Sequence, residues 1–259
     1  MVRLIAALAL CLAGAASAGP SRVVSINLCT DQLAMLVAGP GQLVSVSWLA
    51  ADPALSLMAE EAGQIGVNHG GAEEIYLMRP DLVLAGPYAA HATVEMLTRL
   101  GVQVRTIPAA NTIADIRRNI TLMGDALGRE ARAEEILSAF DADLAALPEG
   151  RPLLATTYAA NGLANGRDTL SAEAMRRAGL FLLADRIGHS GGKMALEELV
   201  MAGPELVVTG SRYATPSRAE AVLDHPALSA LQAERLSVAD RGWICGLPAL
   251  TGTIRSLVR

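Results

Sequence analysis

Apolar and polar positions along this chain follow two periods. Short aliphatic, β-branched runs end in polar residues, and between them lie stretches with an apolar residue every third or fourth position. Residues 22–28 (RVVSINL), 43–46, 82–85 and 102–107 read as strands. Thr30-Asp31 can cap a helix over 32–37, which Gly39-Pro40-Gly41 terminates; 53–61 and 91–100 are further helices. Residues 65–70, carrying Asn68 and His69, read as an irregular connection. Alternating strands and helices predict an α/β layer with a mainly parallel sheet. A helical pattern over 112–127 stops at Gly128 and resumes over 129–147, expected to be the one long helix of the chain. The strand–helix pattern then restarts with a strand at 153–157, helices at 169–179 and 195–201, and a strand at 206–209. Short helices follow at 217–223 and 227–231, then a last strand bordered by 237–239 and 243–244, and a terminal helix over 251–258.

Two segments share one template. Residues 72–86 read AEEIYLMRPDLVLAG and residues 196–210, 124 positions later, read LEELVMAGPELVVTG; six of the fifteen positions are identical. Each copy is a short helix that opens with two carboxylates, stops at a proline and leads into a buried strand ending in glycine. The duplication predicts two lobes of like architecture with a cleft between them. The expected organisation is a signal segment over 1–18, a lobe over 21–128, an interdomain helix over 129–147 and a second lobe over 151–259.

The first eighteen residues have the pattern of a secretory signal: Arg3, an apolar run, then Ala16-Ser17-Ala18. Cys11 follows Leu10, where lipid attachment wants a small residue, so a soluble periplasmic protein is expected. Removing Arg3 takes the formal charge from -5 to -6. That mild acidity argues against a nucleic-acid surface, which needs clustered Lys and Arg. Hydrophobic residues reach 52% but aromatics only 3%, so the core must be aliphatic. Two cysteines remain after processing, Cys29 and Cys245. Export permits a disulfide between them, and two buried thiols are the alternative.

The order of these parts resembles the periplasmic substrate-binding proteins of vitamin B12, iron–siderophore and haem import, whose lobes are joined by a single helix. The motifs that carry the resemblance are RVVSINLCTDQL, the two repeat copies, and TIADIRRNITLMGDALGREARAEEIL; together they span about 21–259. The resemblance implies a bulky metal chelate as ligand, no cofactor of the protein's own, a monomer, and docking on the permease dimer of an inner-membrane ABC importer. One glutamate per lobe would meet permease arginines, and the repeat points to Glu73 and Glu197 over their neighbours Glu74 and Glu198. A carboxylate in a helix's first turn is favoured by the helix dipole and can accept a bidentate arginine. Four solvated glutamates are the plainer alternative.

Ligands of α/β lobes sit beyond the carboxyl ends of the strands. The candidates there are Asn27, Thr30, Asp31, Trp48, Asn68, His69 and Tyr88 in the first lobe, and Tyr158, Asn161, Arg212, Tyr213 and Trp243 in the second. Both tryptophans and three of the four tyrosines fall at strand ends, which suits a large planar or macrocyclic ligand. His69, His91 and His189 could each ligate a chelated metal, His69 foremost. Arg212 could pair with a carboxylate. The glycine-rich stretch 188–193 (GHSGGK) lacks the first glycine and the Ser/Thr of a phosphate loop. No G-x-S-x-G or H-E-x-x-H is present, so no enzyme is expected. A secreted thiol enzyme using Cys29, or a ligand-free sensory domain, are the competing readings.

Overall fold

In a computed structural model, residues 19–212, 215 and 217–259 are described. The signal-like segment 1–18 and the candidate Tyr213 lie outside the described residues. The first lobe is built on five strands: β1 (Val23–Ser25), β2 (Leu43–Ser47), β3 (Gly66–Asn68), β4 (Leu82–Ala85) and β5 (Val104–Thr106). They form one parallel sheet in the order β3-β2-β1-β4-β5. The central β1 and β4 are buried along their whole length, as strands covered on both faces must be. β3 replaces the expected irregular connection. It is an edge strand, and its exposed Gly66 and Val67 left no apolar alternation to read.

Five helices accompany this sheet: α1 (Leu28–Val37), α2 (Ala59–Ala62), α3 (Ala72–Leu77), α4 (His91–Arg99) and α5 (Ile113–Leu127). α1 begins four residues before the expected start. Asn27 is extended (φ −149°), and its side chain accepts from the amides of Cys29 and Thr30 at 3.1 and 3.4 Å. Thr30 and Asp31 therefore lie inside the helix and do not cap it. α5 opens with a capping box between Thr112 and Asp115 and ends at Gly128 (φ 62°). α6 (Glu130–Ala145) follows at once. With 15 residues in α5 and 16 in α6, the second is not the only long helix.

α6 buries Ala133, Ile136, Phe140 and Leu144 and is fastened on both sides. Gly124 of α5 lies so close that a Cβ there would meet Ala133 Cβ at 2.5 Å, and Arg117 pairs with Asp141 at 2.7 Å. In the other direction Arg177 donates to Leu144 O and Arg255 to Asp143 O, each at 3.4 Å. A helix packed along its length bends less easily than a free rod.

The second lobe contains β6 (Leu154–Thr157), β7 (Leu163–Ala164), α7 (Leu170–Arg177), β8 (Phe181–Leu182), α8 (Leu183–Ile187), β9 (Gly192–Lys193), α9 (Leu196–Ala202), β10 (Leu206–Thr209), α10 (Pro226–Ala230), β11 (Glu234–Ser237) and α11 (Leu250–Leu257). Its main sheet is parallel, in the order β11-β10-β6-β8, and β7 pairs antiparallel with β9. β8 and the β7–β9 pair are two-residue strands, too short for a period to announce them. The last strand ends at Ser237. Trp243 and Ile244 follow a 3₁₀ turn over Asp240–Gly242 and belong to a loop.

The repeat is structural. Ile75 in α3 and Leu199 in α9, at the same position of the template, are both fully buried. Both helices stop at a left-handed residue before the proline, Arg79 (φ 50°) and Gly203 (φ 59°). β4 and β10 then run into their sheets. Among the described residues no helix is long and apolar enough to cross a membrane.

Cys29 and Cys245 form a disulfide with a Cα–Cα separation of 5.1 Å. It ties the first turn of α1 to the loop after β11, across a sequence separation of 216. Two neighbours reinforce the junction. A Cβ on Gly246 would come within 2.3 Å of Ala110 Cβ, and Arg241 Nη1 donates to Pro53 O at 2.7 Å. One apolar cluster runs from Val23 through α5 and α6 to Leu257, so the main core spans both lobes, with a smaller cluster confined to each.

Candidate functional site

The carboxyl ends of the strands open onto a cleft of about 930 Å³, lined from both lobes. In the first sheet the strand order reverses between β1 and β4, the switch point where α/β sheets leave a crevice. Asn27 follows β1, and Gly86, Pro87 and Tyr88 follow β4. A Cβ on Gly86 would sit 2.6 Å from Asn27 Oδ1, so only glycine lets β4 turn this close to the cap. In the second sheet Ser211 and Arg212 follow β10, while Asp240 and Trp243 follow β11; all four line the cleft.

Of the residues singled out in the sequence, Asn27, Thr30, Tyr88, Arg212 and Trp243 line this cleft, together with Cys29. Tyr88 is 85% exposed, its ring largely free. Trp243 is 9% exposed and packs its indole into the wall. Arg212 is already engaged: it donates to Asp224 Oδ1 at 2.7 Å and to Glu220 O at 3.3 Å.

The other candidates lie elsewhere. Asp31 is fully buried and accepts a hydrogen bond from Ser47 Oγ. One residue further along a helix turns the side chain by about 100°, so Thr30 faces the cleft and Asp31 faces the sheet. Burial pushes its carboxyl up to about 6, against the lowering effect of hydrogen bonds from Ser25, Ser47 and Asn27. Asn68 is also fully buried, donating to Ser25 O and Ser45 Oγ at 2.9 Å each. Neither residue lines the cleft. His69 is exposed, with its backbone amide on Glu74 Oε2 at 2.8 Å and Nδ1 3.5 Å from Oε1. Trp48 is half-exposed in a 3₁₀ turn after β2 and is not among the cleft residues.

Tyr158 is 1% exposed and donates to Met194 O at 3.3 Å. Burial first, and Glu197 second, raise its phenol above the ordinary tyrosine value. With Asn161, held left-handed at φ 59°, it borders a separate shallow hollow beside α9. His91 and His189 do not line the cleft either. Among the described residues no group of three His, Cys, Asp or Glu is placed to hold a metal ion. The disulfide leaves Cys29 without the thiol that a nucleophilic reading requires.

Several lining residues escaped the sequence reading. Asn111, Asn119, Asn165, Ser171 and Asp240 also line it, Asn119 and Ser171 from helices and Asn165 from just after the two-residue β7. Asn119 is 4% exposed and donates to Pro108 O at 2.7 Å, while its Oδ1 has no partner. The carbonyl of Pro108 can only accept, so this orientation of the amide is fixed and an acceptor is left at the cleft wall. The signal was available: Asn119 interrupts the buried stripe of Ile116, Ile120 and Met123. Burial raises the Asp240 carboxyl, opposed by a hydrogen bond from Trp243. The cleft thus offers aromatic faces, several side-chain amides and few net charges.

The profile of the periplasmic binding protein family matches residues 23–236. The chain belongs to that family. Its work lies outside the cytoplasm, and its kin are substrate-binding proteins. A curated relative, an uncharacterized ABC transporter substrate-binding lipoprotein of Bacillus subtilis, is 24% identical over 133 residues. The aligned stretch is 50% of this chain and 41% of the relative, less than half of the relative's length. Among solved structures, a possible iron-binding (periplasmic solute-binding) protein from Staphylococcus epidermidis has TM-score 0.75 at 15% identity, covering 92% of this chain and 97% of that one. A periplasmic heme-binding protein from Pseudomonas aeruginosa has TM-score 0.69 at 26% identity, covering 92% and 91%. These likenesses agree with the two parallel sheets and the cleft between them.

Both glutamates singled out on the repeat lie on the surface. Glu73 is exposed, whereas Glu74 is half-buried and engaged with His69. Glu197 and Glu198 are both exposed, and Glu198 borders the hollow that Tyr158 and Asn161 share.

Proposed function

We propose that this chain is a periplasmic receptor, exported with a cleavable signal over 1–18, that captures a bulky metal chelate and delivers it to an inner-membrane ABC importer. The lobes divide at 21–128 and 151–259, with the helix over 129–147 between them. The observation that carries the reading is the 930 Å³ cleft walled by Tyr88, Trp243 and side-chain amides from both lobes. Such a volume is at the upper end for small-molecule sites and suits cobalamin, a ferric siderophore or haem. The metal is cargo held inside its chelate. Among the described residues no histidine lines the wall, and the Tyr88 phenol is the one aromatic oxygen that a haem iron would meet there. Delivery runs through Glu73 and Glu197, one on each lobe, to cationic groups of the permease.

Trp243 supplies the test. In a Trp48→Phe variant it is the one remaining indole. Its emission should be quenched saturably by one compound among haem, cyanocobalamin and a ferric siderophore. Absence of quenching by all three discards the chelate reading.

A further inference from the structure

Among the large apolar side chains of the described residues, the most exposed aliphatic ones are Met201, at 88%, and Leu77, at 71%. They occupy the same position of the repeat, in α9 and α3 respectively. Each stands four residues after a docking glutamate, Glu73 before Leu77 and Glu197 before Met201. That spacing puts carboxylate and apolar tip on one face of a helix, a turn apart. The opposite face is anchored by Ile75 and Leu199, each with no exposure. None of the four surface residues lines the cleft.

A single exposed aliphatic residue is ordinary on a protein surface. The pairing here is not, because the template has kept little else beyond its strand and its punctuation. Position 77 is leucine in one copy and 201 is methionine in the other, so size and apolarity are matched while identity is not. We propose that Leu77 and Met201 are paired apolar contacts for the importer permease, each seated beside the cation that meets its glutamate. The inference rests on the docking role of Glu73 and Glu197. A partner able to receive both lobes must present one socket twice: a guanidinium or ammonium next to an apolar depression. A permease made of two like halves does so. The apolar tip also excludes water from the neighbouring ion pair, which strengthens a contact that salt would otherwise screen.

The test places a photo-reactive benzoylphenylalanine singly at positions 73, 77, 197 and 201 of the full chain in intact cells. Cross-linked products are then identified by mass spectrometry. Adducts from 77 and 201 to the permease subunit that also captures 73 and 197 support the inference. Adducts from 73 and 197 alone overturn it and leave the docking role standing. No permease adduct from any of the four overturns both. As a second measurement, Leu77→Ser with Met201→Ser should leave the melting midpoint unchanged, since both side chains are in solvent. It should cut cross-linking from a probe at Tyr76 by roughly ten-fold or more. An unchanged yield overturns the proposal.

Discussion

Asp31 gives the sharpest test of the energetics beneath the cleft. Its carboxyl is fully buried, and its folded-state value of about 6 compares with 3.8 for the free side chain. An acid whose value rises on folding is protonated more readily in the native state than in the unfolded chain. Stability therefore falls as pH climbs through the window from about 4 to about 6, and the full cost is present above it. The shift corresponds to about 3 kcal/mol at neutral pH. Asp31→Asn removes the charge and keeps an oxygen for Ser47, so the variant should be more stable than the parent by about 2–3 kcal/mol at pH 7.5. At pH 4 the parent is itself protonated and the two proteins should unfold alike. Urea denaturation of both at pH 4.0, 5.5 and 7.5 reads the difference directly. Taking the difference cancels Asp81 and Asp240, whose own shifts are common to both proteins. A gain that is independent of pH, or a loss at pH 7.5, refutes the assignment of the shift to Asp31.

Three further outcomes are expected. Arg79 sits left-handed where its repeat counterpart is Gly203, so Arg79→Gly should stabilise by about 1 kcal/mol and Gly203→Ala destabilise by a similar amount in thermal melts. Reduction, or Cys29→Ala with Cys245→Ala, should cost roughly 5 kcal/mol on the chain-entropy estimate for a loop of this length, read as a lower denaturation midpoint. Charge reversal at both Glu73 and Glu197 should abolish uptake by cells while binding of the quenching compound by purified protein is unchanged; unaltered uptake removes the docking role.

How much of this was legible depended on the kind of signal. The repeat announced itself because carboxylates, proline and glycine punctuate helix ends, and these residues are read one at a time. The α/β layering followed from the buried runs of β4 and β10. The cleft was only partly legible. Strand ends locate the rim of a sheet but not which way a side chain points. Thr30 and Asp31 are adjacent in sequence, yet Thr30 lines the cleft and Asp31 does not, and Tyr158 follows β6 yet turns into the lobe. Asn111 and Asn165 come from connections whose course is set by tertiary packing, so no local pattern marked them. Asn119 was the exception, a polar residue set within an apolar stripe.

The cross-link between Cys29 and Cys245 also alters what a cut in the chain can do. A protease nicking the 148–152 connection would yield two fragments, one carrying Cys29 and the other Cys245. Held by the bridge, they would migrate together until a reductant was added. Such a nicked particle would show by electrophoresis alone whether the halves remain fastened after the peptide between them is gone.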